Sequence, residues 1–65
     1  MDFGTRLEQT MRTRRLSASE VARTIGVSRQ AVLGIVRGAE PRLSTYARLV
    51  AAYPELRIEN GPGAA

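Results

Sequence analysis

Arg29 and Gln30 follow a serine able to cap a helix, and Leu33, Gly34 and Arg37 come after them at one- and two-turn spacing. The arginine fork fits the paired O6 and N7 acceptors of guanine, and the glutamine amide fits N6 and N7 of adenine. Arg29 has a second reading, in which it touches phosphate alone. Leu33 also has two: contact with a thymine methyl, or packing between helices. Gly34 either lets the backbone approach a surface closely or only weakens its helix, by ~0.8–1 kcal/mol.

The composition suits an anionic partner. There are 10 basic residues, all arginine, against 6 acidic ones and no histidine, for a net charge of +4. Arginine serves bidentate phosphate and guanine contacts better than lysine does; codon bias from a GC-rich genome is the alternative reading of the preference. There is no cysteine, so no disulfide or thiolate metal site is expected. No carboxylate cluster, phosphate loop or pocket-sized core stands out, so neither enzyme activity, a small-molecule ligand, a cofactor nor a metal is expected. No apolar run approaches the ~20 residues of a membrane span, and the N-terminus lacks a signal-peptide pattern. A cytoplasmic protein with no membrane partner is the expectation. At 65 residues the chain makes one domain, and so short a domain buries only about 60% of its unfolded surface. Self-association is therefore expected on size alone.

The patterning predicts four short helices. Asp2 caps the first, about 3–14, with Phe3, Leu7 and Met11 on one stripe. Thr5 with Glu8 is an alternative capping box that would start it later. Ser17-Ala18-Ser19-Glu20 is a capping box opening a helix over about 18–25, with Val21, Ala22 and Ile25 inward and Gly26 as its stop. Ser28 caps a third, about 29–37, with Ala31, Val32, Ile35 and Val36 as its apolar face and Gly38 closing it. Pro41 marks a loop. The fourth, about 43–53, has Leu43, Tyr46, Ala47, Leu49, Val50 and Tyr53 as its apolar set and ends at Pro54. Leu56 to Glu59 alternates as a short strand would. The domain is read as 1–54, with 55–60 as a dimerisation segment and 61–65 as a flexible tail.

The organisation around Gly26-Val27-Ser28 carries the most information. Two short helices meet there, with small Ala22 where they approach and Val27 in the angle between them. Val32, Ile35 and Val36 would anchor the second helix so that its polar face projects. From Arg6 to Tyr53 the chain resembles the Cro/C1-type (lambda-repressor-like) helix-turn-helix domains of phage repressors and bacterial regulators. The matching residues are Leu16-Ser17, Ala22, Gly26-Val27-Ser28, Gly38, Pro41 and the Leu43–Tyr53 helix. Ala18 stands where the family often has a phosphate-binding Gln. The family's usual fifth helix, which makes the dimer contact in all-helical members, is missing or replaced by Leu56 to Glu59.

The resemblance implies an all-α bundle and a sequence-specific regulator of double-stranded DNA, acting as a dimeric repressor on a palindromic operator. An antitoxin or restriction-system control protein, using the same surface plus a protein partner, is the alternative. The implied base-reading residues are Arg29, Gln30, Leu33 and Gly34. Phosphate or minor-groove contacts fall to Ser17, Ser28, Arg37, Arg42, Ser44 and Thr45, with Arg14 and Arg15 as further candidates. Arg15 has the alternative of pairing with an acidic side chain, and Arg42 lies where related phage repressors place an arginine near the operator centre. Arg6, Arg12 and Arg48 are read as solvated. Tyr53, Leu56 and Ile58 are expected at the dimer interface, through a strand pairing across it. The competing arrangement folds that segment back onto the helical core.

Overall fold

Asp2 starts the first helix, its carboxylate accepting the Thr5 backbone N–H at 2.8 Å. In the computed structural model, which describes residues 2–57, this helix is α1, Phe3–Arg14. Thr5 lies inside it, so the Thr5–Glu8 alternative start is not used. Then follow α2 (Ala18–Ile25), α3 (Arg29–Val36), α4 (Leu43–Ala52) and a 3-10 turn, Pro54–Leu56. The capping box at α2 is complete. Ser17 Oγ accepts the Glu20 N–H at 3.1 Å, and the Glu20 carboxylate accepts the Ser17 N–H at 2.8 Å. Ser28 Oγ accepts the Ala31 N–H at 3.1 Å to open α3. Each such cap is worth about 1 kcal/mol, a large fraction of what a domain this small can hold.

α2 stops where the backbone turns left-handed at Gly26, φ 75°, and Gly38, two residues past α3, is at φ 118°; both conformations are open to glycine at little cost. α1 ends on Arg15 at φ 57°, a left-handed cap with no glycine to announce it. Arg37 caps α3 from just outside and Tyr53 does the same for α4, so both helices stop one residue short of expectation.

The core takes one fully buried side chain from every element: Leu7, Val21, Val32, Leu49 and Leu56. α3 packs against both α1 and α2, while α4 closes on α2 and the 3-10 turn. Within α1 the buried line is Gly4, Leu7 and Thr10. Phe3 and Met11, expected on that stripe with Leu7, flank it half-buried, and Phe3 meets the Tyr46 ring at 5.2 Å between centroids. Gly4 is required there. A Cβ on it would fall inside contact distance of the Ile35 carbonyl oxygen and 3.0 Å from that of Val36.

Three expectations about apolar residues change. Ala31, Leu43 and Ala47 were assigned inward but are exposed, because the inner faces of α3 and α4 are narrower than their apolar runs. The strand expected from Leu56 onward is absent among the described residues. Pro54 opens a 3-10 turn instead, and Leu56 folds back beneath α1 and α4. Tyr53 and Leu56, expected at a subunit interface, are 5% and 0% exposed within the chain's own core and have almost no surface left for a partner. Ile58, Glu59 and the tail expected at 61–65 lie outside the described residues. No helix among the described residues is long and apolar enough to cross a membrane.

Candidate nucleic-acid interface

α3 is held by its inner face and presents its outer one. Val32 and Ile35 are buried and Val36 is half-buried against the core. Gly26, Val27 and Ser28 turn the chain from α2 into α3, with the Gly26 and Val27 N–H groups both donating to the Ala22 carbonyl at 2.8 and 3.0 Å. These bonds close the C-terminal end of α2, and the packing of α3 against α2 holds the two helices at their angle. Arg29, Gln30 and Arg37 are exposed, and Gln30, Gly34 and Arg37 form one row at i, i+4, i+7. Leu33 is half-buried at the core margin, so part of its surface is taken by packing. A Cβ on Gly34 would meet only the Ala39 Cβ, at 4.0 Å. Nothing among the described residues therefore requires glycine at that position.

The arginines divide into two groups, and the division differs from the expected one. Arg6 donates to the carbonyls of Glu55 and Arg57 at 2.9 and 3.0 Å. Arg48 donates to the Ile25 carbonyl at 3.2 Å, closing the C-terminal end of α2. Beyond the solvated positions expected of them, each donates to backbone oxygen far away in sequence. Arg12 remains exposed beside Glu8. Arg14, a phosphate candidate, is bound in both prongs by Glu55 at 2.7 Å and lies over the Tyr53 ring at 5.0 Å. The acidic pairing considered for Arg15 is not made among the described residues. Arg15, Arg29, Arg37 and Arg42 are exposed and form no side-chain hydrogen bond or ion pair with another described residue.

Arg42 stands at the N-cap of α4 without a side-chain cap, and the first turn of α4 holds no acidic residue. Ser44 is exposed and Thr45 half-buried beside those free amides. This is the arrangement of groups that favours an anion at a helix start. Ser17 and Ser28 already spend an acceptor lone pair on capping, yet their hydroxyl protons remain to donate.

Sequence reasoning missed the clamp on the C-terminal turn, since Arg14 and Glu55 are 41 residues apart and no local pattern links them. Its electrostatics predict a pH effect. The Arg14 hydrogen bond is the main reason the Glu55 carboxyl is held below its ordinary value, and the same contact raises the Arg14 guanidinium further. Backbone N–H donors lower Asp2 and Glu20 in the same direction. A depressed carboxylate contributes stability above its unfolded value and loses it as pH falls through the depressed folded value. The melting temperature should therefore drop on acidification through the carboxylate range. Glu55→Gln should melt lower than the parent at neutral pH and lose less on acidification, as circular-dichroism melts would check. Equal acid losses in parent and variant would remove the clamp from the account.

Two short capped helices, a left-handed glycine between them and a second helix with its polar side outward define a helix-turn-helix unit. A family model described as a helix-turn-helix domain matches residues 2–54, and the chain belongs to that family, in agreement with its Cro/C1-type resemblance. No curated protein and no solved structure matches it. Domains of this class serve DNA-binding regulators by lodging their second helix in the major groove.

Proposed function

We propose that this protein is a sequence-specific, double-stranded DNA-binding transcriptional regulator, acting as a dimeric repressor with α3 in the major groove. The observation that carries this reading is the placement of Arg29 and Gln30. They are exposed at the start of a helix whose other face is buried through Val32 and Ile35. Arg29 reads guanine and Gln30 adenine, and the free part of Leu33 lies against a thymine methyl. Arg37 and Arg42 neutralise phosphates, aided by Arg15, the amides and hydroxyls of Ser44 and Thr45, and the hydroxyls of Ser17 and Ser28. Two copies on half-sites one helical turn apart supply the selectivity one recognition helix lacks. Occupying the operator excludes polymerase, which needs no further domain.

Titration of a duplex at several salt concentrations tests this reading. Three cationic phosphate contacts per subunit, from Arg15, Arg37 and Arg42, give a log–log salt slope of roughly −3 per subunit, at about −0.9 per phosphate. Arg42→Ala should flatten that slope by about 1 while weakening all sequences alike. A wild-type chain whose binding ignores salt, or which binds no duplex at low salt, would refute the proposal.

Gly34 offers a separate check. With only Ala39 nearby, Gly34→Ala should stabilise α3 by about 0.8–1 kcal/mol. The same methyl, facing the groove wall, should weaken DNA binding. A melt and a titration on one sample test both, and unchanged affinity would take the α3 backbone off the DNA.

A further inference from the structure

Arg15 holds a backbone conformation that suits its residue type poorly. It ends α1 at φ 57° and ψ 49°, and no other non-glycine residue among those described has a positive φ. Left-handed backbone disfavours any residue with a Cβ, and glycine is the usual occupant of this cap position. The bonds that close the helix would form with glycine equally well. The Arg15 N–H donates to the Arg12 carbonyl at 3.2 Å, and the Leu16 N–H donates to that of Met11 at 2.8 Å. The Arg15 guanidinium is exposed and pairs with no other described residue. A strained residue whose side chain the fold does not use points to a task outside the chain.

Its neighbours are fastened on both sides. Arg14 is gripped in both prongs by the Glu55 carboxylate at 2.7 Å and lies over the Tyr53 ring at 5.0 Å. Glu55 is itself fixed, because Arg6 donates to its carbonyl at 2.9 Å and Leu56 beside it is fully buried. On the other side Leu16 packs against the core and Ser17 caps α2. We propose that the Glu55–Arg14 pair is a latch that positions the left-handed Arg15 for a DNA phosphate beside the start of α2. Glu55 is then a positioning residue that supports binding of a polyanion although it carries a negative charge. The inference rests on the proposed DNA-binding function and extends it to the C-terminal turn. Charge alone makes the opposite forecast: removing one of 6 acidic residues from a chain of net charge +4 should strengthen binding to any duplex. With the latch open, the end of α1 is unfastened, and Arg15 leaves both its strained conformation and its phosphate.

Salt titrations of one duplex test the latch, at a temperature where circular dichroism shows every variant folded. Arg15→Gly should melt a few degrees higher than the wild type. It should nevertheless bind about fivefold more weakly at ~0.15 M salt, with a slope flatter by about 0.9 per subunit. Glu55→Gln should also lose affinity severalfold and flatten the slope, although it raises the net charge by one. In the double variant the second change should add little, because residues that act as one unit are not additive. Equal or tighter binding by Glu55→Gln, or losses that add in the double variant, overturns the latch and leaves the DNA reading standing. So does an Arg15→Gly chain that binds like the wild type. A wild type that binds no duplex at low salt overturns both.

Discussion

Arg29→Ala should cost about 1–3 kcal/mol of binding per half-site and abolish discrimination at one base pair, leaving affinity for unrelated duplex nearly unchanged. In a two-fold complex the loss counts twice, roughly 2–6 kcal/mol. The large effect follows from position. Arg29 opens α3, has no partner among the described residues, and is carried by a helix whose opposite face cannot turn without exposing Val32 and Ile35. Gln30→Ala should behave similarly at a different base pair. Arg37→Ala is the contrast, weakening all sequences and lowering the salt dependence by about one phosphate. Titrations against a bound sequence and its single-pair variants separate the two patterns. If Arg29→Ala weakened every duplex equally, its contact would be to phosphate and the direct reading of bases would be lost.

Gly4→Ala should destabilise the fold by about 3 kcal/mol, toward the upper end of the ~1–3 kcal/mol typical of overpacking. Two effects oppose each other. Alanine in place of glycine within a helix gains about 0.8–1 kcal/mol. Against this, the new methyl would collide with the Ile35 carbonyl oxygen and press on that of Val36. These are backbone atoms of the last turn of α3 and its end, and they cannot rotate aside as a side chain would. Separation of α1 from α3 would uncover Leu7 and Val32 together. For a domain this small each kcal/mol shifts the melting temperature by about 4–8 °C, so a fall of roughly 15 °C or more is expected. Melting within a degree or two of the parent would mean that α1 does not lie so close to α3. Gly4→Ala and Gly34→Ala make a matched pair, the same substitution in two helices with opposite sign, decided by what surrounds each Cβ.

What could be read from the sequence was local. Asp2, Ser17 with Glu20, and Ser28 announced three helix starts, because a cap needs only a side chain and an N–H two or three residues away. Gly26 announced the turn between α2 and α3 by the same locality. Arg15 ended α1 without notice, since an arginine in the left-handed region leaves no mark in residue type. The inward line of α1 was half hidden because Gly4 and Thr10 are not hydrophobic, although the fold buries both. Four residues of alternation from Leu56 suggested a strand, but Pro54 and the space beneath α1 and α4 made a 3-10 turn with Leu56 as its plug. The arginines were least legible. The intramolecular partners of Arg14, Arg6 and Arg48 are the Glu55 carboxylate and the carbonyls of Glu55, Arg57 and Ile25, whose positions are set by tertiary packing and leave no local mark in the sequence. Arg29, Arg37 and Arg42, at the helix ends, stand exposed as their positions suggested.

The most direct test of a base-reading α3 is selection of bound sequences from a random duplex pool, by the wild type and by Arg29→Ala in parallel. The account predicts a two-fold symmetric consensus for the wild type, with a guanine position in each half-site that becomes unconstrained for Arg29→Ala. No consensus for the wild type, or the same consensus from both proteins, would contradict it.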